Sequence, residues 1–212
     1  MGKSIYVVTL IAMIAIFLVM IFSMKSFEDQ AFYSINERVR ELQFESNFDS
    51  IYSSISKNSD QYCEVIKLQI ELLTQKNHNL DKELKLQKSS FFSNQYVFVK
   101  KSFLMTNLNW YYKARLAKKD CDLNIEPIVY FYDEGKGCEI DCGVMGNQLN
   151  QIGNECKNVR VFAFPYSWSE FRFSEILEKE LNIKKAGTIV IGNVLFDSVT
   201  DKLDLMNELQ CN

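Results

Sequence analysis

Ile128-Val129-Tyr130-Phe131-Tyr132-Asp133, followed by Glu134-Gly135-Lys136-Gly137 and then Cys138-Glu139-Ile140-Asp141-Cys142, is the stretch whose reading decides the fold. Its first half is β-branched and aromatic, bounded by Pro127 and Gly135, which predicts a short buried strand and a glycine turn. Asp141 offers a side chain able to cap a helix, and Val144, Leu149 and Ile152 supply an intermittent apolar face after it. Two thiols therefore stand where a strand hands over to a helix. Amides at a helix N-terminus favour a thiolate, the reactive form of cysteine.

Downstream, the pattern continues as alternating elements. A helix is expected from about Cys142 to Cys156, and a strand over Val159-Arg160-Val161-Phe162-Ala163-Phe164, stopped by Pro165. A second helix is expected from Ser169 to about Asn182. Thr188–Ile191 and Val194–Phe196 flank the two-residue turn Gly192-Asn193, so they read as an antiparallel hairpin. A last helix starts near Ser198 or Thr200 and carries Leu203, Leu205, Met206 and Leu209. The order over 125–212 is β-α-β-α-β-β-α, with the first two strands parallel through a right-handed crossover.

This order, with paired cysteines after the first core strand, resembles the thioredoxin fold. Gly187-Thr188-Ile189-Val190-Ile191-Gly192-Asn193-Val194-Leu195-Phe196 is similar to that family's apolar strand, glycine turn and second strand. The resemblance covers about 126–211. It implies a thiol-disulfide oxidoreductase acting on protein or small-molecule thiols, with Cys138 and Cys142 as the catalytic pair and no bound cofactor. Three residues separate the cysteines where the family has two. Gly187 stands where active members carry a cis-proline facing the redox pair. Glu139 and Asp141 put negative charge between the thiols, which raises a thiolate's pKa. These departures motivate a second expectation: a catalytically inactive binding or assembly module that keeps the fold, with the groove near Tyr166-Ser167-Trp168 or the hairpin edge as its docking surface.

Residues four apart on a helix share a face, and a disulfide asks for Cα atoms about 4.4–6.8 Å apart. Cys138 and Cys142 can thus be a redox-active pair, a static disulfide or two free thiols. No metal site is expected, since only two ligands are local and the single histidine, His78, is remote. Cys121 or Cys156 could each bond Cys211, and Cys63 could lie inside a helical hairpin or a dimer interface.

Upstream, residues 25–122 read as helical. Phe32, Ile35, Val39 and Leu42 form one stripe, and Phe48, Ile51, Tyr52 and Ile55 resume it. After a polar break at 56–60, Cys63, Ile66, Ile70, Leu73, Asn77, Leu80 and Leu84 make a heptad seam in which Asn77 resembles a register-fixing polar residue. A coiled-coil-like hairpin packing on its own neighbour and a homodimer through this region are the two readings. A further helix from Ser89-Ser90 to about Lys119 is rich in aromatics, expected to dock on the C-terminal domain. Ser4 to Met24 carries no charge, long enough for a hydrocarbon core of about 30 Å, which predicts a single-pass transmembrane anchor over 1–24 contacting membrane lipid through 4–24. Lys3 and the α-amine before it favour the N-terminus inside and the bulk of the chain outside.

Composition narrows the classes. The 212 residues are 47% apolar and 24% charged, a globular balance, with a formal net charge of −3 that speaks against a nucleic-acid partner. One histidine excludes Ser-His-Asp and Cys-His catalysis as usually built. The whole is read as an α/β protein: an N-terminal transmembrane helix, a helical hairpin or stalk, and a thioredoxin-like domain.

Overall fold

The computed structural model describes residues 13–20, 60–87, 93–133, 138–209 and 211. Residues 13–20 form a helix, α1, whose side chains are all exposed. The predicted span over 4–24 lies mostly outside the described residues, as do the stripes from Phe32 to Ile55. No helix among the described residues is long and apolar enough to cross a membrane.

The remaining elements belong to one unit, Lys57–Asn212. They are α2 (Asp60–Gln87), α3 (Ser93–Cys121), β1 (Glu126–Tyr132), α4 (Glu139–Glu155), β2 (Val159–Pro165), α5 (Arg172–Glu180), β3 (Thr188–Ile191), β4 (Val194–Phe196) and α6 (Lys202–Glu208). The β-α-β-α-β-β-α order expected after residue 125 is the observed order. The four strands make one mixed sheet, ordered β2-β1-β3-β4. β1 runs parallel to β2, with Tyr130 opposite Ala163, and antiparallel to β3, with Val129 opposite Val190. Parallel neighbours need a crossover, which α4 supplies. The β3–β4 hairpin closes on Gly192, whose φ of +58° suits the first central place of a two-residue turn.

Alternation along β1 builds two cores. Val129 and Phe131 face one side, where Phe162, Phe164 and Val190 meet Leu104, Leu108 and Tyr111 of α3 and Leu177 of α5. Ile128 and Tyr130 face the other side, against Met145, Leu149 and Ile152 of α4 and Leu205 of α6. The aromatic helix docks as expected, with Trp110 and Tyr111 edge-on to Phe162 at centroid distances of 5.2 and 5.6 Å. α2 and α3, set apart in the sequence reading within 25–122, thus belong to the same unit as 125–212.

The α2–α3 pair is a hairpin, and its buried face differs by one step from the predicted seam. Tyr62, Ile66, Gln69 and Leu73 are buried, so Ile66 and Leu73 are shared with the seam while Cys63 and Ile70 flank it. Asn77 donates to Asn107 Oδ1 of α3 (3.1 Å), and Asn107 donates to the Ala163 carbonyl of β2 (3.1 Å). Glu64 and Lys67 lie on the solvated side as an ion pair at 2.7 Å. α3 ends at Asp122, whose left-handed φ of +50° stops the helix, and α5 ends the same way at Asn182, φ +56°.

Three helix starts move from their expected places. α4 is capped by Cys138, three residues before Asp141. α5 begins at Arg172 because Trp168 to Phe171 forms a turn, the Phe171 N–H reaching the Trp168 carbonyl at 3.0 Å. α6 is capped by Asp201, whose carboxylate accepts the Leu203 N–H at 2.9 Å; a carboxylate two residues before the amide reaches what Ser198 and Thr200 cannot.

Candidate functional site

Central strand β1 delivers the site. It is buried from Ile128 to Phe131 and emerges at its carboxyl end, from which the chain returns at Cys138. Cys138 is the N-cap of α4 at φ −135°, ψ 15°, and its carbonyl accepts the first helical bond from the Cys142 N–H at 2.6 Å. The two cysteines therefore span the opening turn of α4. They are joined as a disulfide with Cα atoms 5.2 Å apart, well inside the range such a bond accepts. Of the three sequence alternatives, free thiols are not what the structure contains.

The two sulfurs differ in access. Cys142 packs into the α4 core at 9% exposure, whereas Cys138 is half-buried at the rim. Beside it, Ile140 projects at 79% exposure. Asp141, expected as the cap, is an exposed residue of the first turn. A negative charge in that turn opposes any thiolate formed nearby.

Gly187 closes the site from the β3 side. Its N–H donates to the Phe131 carbonyl at 2.7 Å, and its φ is +80°. A methyl group placed on it would lie 3.2 Å from the Cys138 sulfur. The residue before Thr188 thus faces the Cys138 sulfur, and glycine leaves that approach bare. Beneath the helix, the Tyr130 hydroxyl donates to the Cys142 carbonyl at 2.8 Å in a buried bond. Burial pushes the Tyr130 phenol up to about 12, so it stays a donor at neutral pH. Burial likewise raises Tyr132, helped by Tyr96 and Tyr130. Sequence reasoning passed over Tyr130: its place on the α4 side follows from strand alternation, but nothing local says its hydroxyl meets a helix carbonyl.

Tyr166 and Trp168, the proposed partner groove, are half-buried against the α3 core. The Lys100 ammonium sits 4.3 Å above the Trp168 ring, an arrangement that fixes Trp168 onto α3. The other cysteines form Cys63–Cys121 and Cys156–Cys211, with Cα separations of 5.5 and 5.1 Å. Cys156–Cys211 was one of two pairings open to the C-terminal cysteine. Cys63 meets Cys121 because the antiparallel hairpin brings the start of α2 to the end of α3. His78 is exposed on α2, and no group of metal-ligating side chains exists among the described residues. A cavity of about 670 Å³ opens at the far end of the sheet, between α3 and Gly192-Asn193. Its cations are partly spent: Arg115 is tied to Glu180 at 2.6 Å and Lys118 to Glu126.

No protein-family model, no curated protein and no solved structure matches this chain.

Proposed function

We propose that the chain is a membrane-anchored thioredoxin-like protein that exchanges disulfides with protein or small-molecule thiols through Cys138 and Cys142. One observation carries the reading. A disulfide spans the first turn of a helix that follows the central strand, with one sulfur at the rim beneath an unsubstituted glycine and the other in the core. That asymmetry suits a division of labour. An incoming thiolate attacks the Cys138 sulfur, Cys142 leaves as thiolate under the helix-terminal amides, and in the reverse direction Cys142 resolves the mixed disulfide. The order of strands and helices supports the thioredoxin-like assignment. Residues 4–24 anchor the chain with the domain outside, and the pairing of all six cysteines supports that oxidising side. Homodimerisation through the helical region would draw on outward Leu68 and Leu72 of α2, since Ile66 and Leu73 already face inward.

Insulin reduction by the full chain in detergent tests the catalytic reading. With dithiothreitol as the dithiol that reduces the Cys138–Cys142 disulfide in each cycle, wild type accelerates precipitation of the insulin B chain, and Cys138→Ser abolishes the acceleration. Equal rates for the two proteins would leave the alternative, a static disulfide in an inactive binding or assembly module. Asp141 beside the pair is the observation that favours this second reading, because it disfavours a thiolate.

A further inference from the structure

We infer that Tyr130 is a positioning residue that sets the redox balance of the Cys138–Cys142 pair, an inference that rests on the reading that the pair cycles. Tyr130 lies in β1, held on one side by β2 and on the other by β3. It is 5% exposed, and its hydroxyl donates to the Cys142 carbonyl. Cys142 is therefore gripped at both backbone polar groups, its N–H by the Cys138 carbonyl and its C=O by a phenol on an interior strand of the sheet. In the oxidised protein the disulfide clasps this turn as well. Once the sulfurs separate, the first turn of α4 keeps its own hydrogen bonds, the core packing of Cys142 and the Tyr130 bond, and helix ends fray. Tyr130 thus keeps the Cys142 thiol within reach of a mixed disulfide on Cys138, which raises its effective concentration there.

The chemistry involved is two exchanges with a thiol such as glutathione. One glutathione thiolate bonds to the Cys138 sulfur, the Cys138–Cys142 bond breaks, and the Cys142 thiolate takes a proton from water. A second glutathione thiolate bonds to the glutathione sulfur of the mixed disulfide, releasing glutathione disulfide and the Cys138 thiolate, which is protonated in turn. Two electrons pass to the protein. The hydroxyl of Tyr130 serves the oxidised form fully and the fraying reduced form in part, so its removal weakens the disulfide against the dithiol.

The test equilibrates the full chain in detergent with glutathione buffers of varied ratio, traps thiols by alkylation and reads the Cys138/Cys142 peptide by mass spectrometry. Tyr130→Phe keeps the ring and loses the hydroxyl; Tyr132→Phe, two residues along the same strand, is the control. The inference expects the equilibrium constant for forming the disulfide to fall by up to about fivefold in Tyr130→Phe, the worth of one ordinary hydrogen bond, with mixed disulfide on Cys138 accumulating. It expects no change in Tyr132→Phe. A purely structural role would lower the thermal stability of oxidised and reduced forms alike and leave that constant where it was. An unchanged constant in Tyr130→Phe, or an equal shift in Tyr132→Phe, overturns the inference. A wild-type pair that no glutathione ratio reduces overturns the proposed function instead.

Discussion

Gly187 is the residue where backbone and chemistry meet. Its φ of +80° lies where an L side chain is strained, and its missing methyl leaves the Cys138 sulfur open. Gly187→Ala is expected to cost about 1–2 kcal/mol in urea unfolding of the oxidised protein, from the left-handed backbone alone. A second cluster, away from the cysteines, carries a pH signature. Glu180 accepts from Tyr112 at 2.5 Å and from Arg115 at 2.6 Å. Burial alone would raise the Glu180 carboxyl, but those two hydrogen bonds and the Arg115 charge outweigh it and lower the pKa below its usual 4.5. A carboxyl lowered by folding adds stability at pH values above its unfolded pKa. That stability goes as pH falls from about 4.5 through the lowered folded value. Wild type should therefore be more stable than Glu180→Gln by a constant offset above pH 6, and that offset should shrink as pH falls below about 4.5; an offset that does not change with pH would refute the coupling. The effect is small, because the pair is largely solvated.

At the scale of elements, the question is what fastens the helical hairpin to the sheet. Strand β2 is an edge strand, and unpaired edges invite association. Asn107 covers part of it by donating to the Ala163 carbonyl, and Asn77 of α2 donates to Asn107 in turn. One amide thus ties three elements together. Asn107→Leu keeps the volume but strands both partners, so a loss of about 1–3 kcal/mol is expected in denaturant melts. The Cys63–Cys121 disulfide closes the same hairpin across a sequence separation of 58. Loop-closure entropy assigns it about 4 kcal/mol. Cys63→Ser/Cys121→Ser should accordingly melt well below wild type, while leaving any turnover of insulin intact. Loss of turnover would place this bond in the redox chemistry rather than in the scaffold.

Across the whole molecule, α3 decides the architecture. Leu104, Leu108 and Tyr111 close the sheet face that also holds Phe162 and Phe164, all at or below 8% exposure. Without α3 that face would meet water. The helical layer and the sheet are therefore expected to unfold together. In a Trp168→Phe background, where Trp110 is the single tryptophan, Trp110 fluorescence, reporting on α3, and far-ultraviolet circular dichroism should trace one superimposable urea transition. Phe162→Ala, which empties the ring-shaped space between Trp110 and Tyr111, should lower its midpoint by the equivalent of about 3–5 kcal/mol. Two separated transitions would mean that the hairpin is an independent stalk after all.

Much of this molecule is written in local pattern. The strand Ile128–Tyr132, the hairpin on Gly192-Asn193 and the β-α-β-α-β-β-α order are legible because period-two alternation and turn chemistry act over a few residues. The cysteine pair at the strand–helix junction is legible for the same reason. Helix starts were less so: Cys138 and Phe171 cap by backbone position with no side-chain bond, and Asp201 competes with Ser198 and Thr200, cap formers just upstream of it. What only the tertiary structure decided involves residues far apart in the chain: Cys63 with Cys121, Asn77 with Asn107 and Ala163, which face of the sheet α3 covers, and the hydroxyl of Tyr130 beneath Cys142. Those contacts arise when apolar faces of separate elements are buried together, and a linear pattern states that a face exists without stating what covers it.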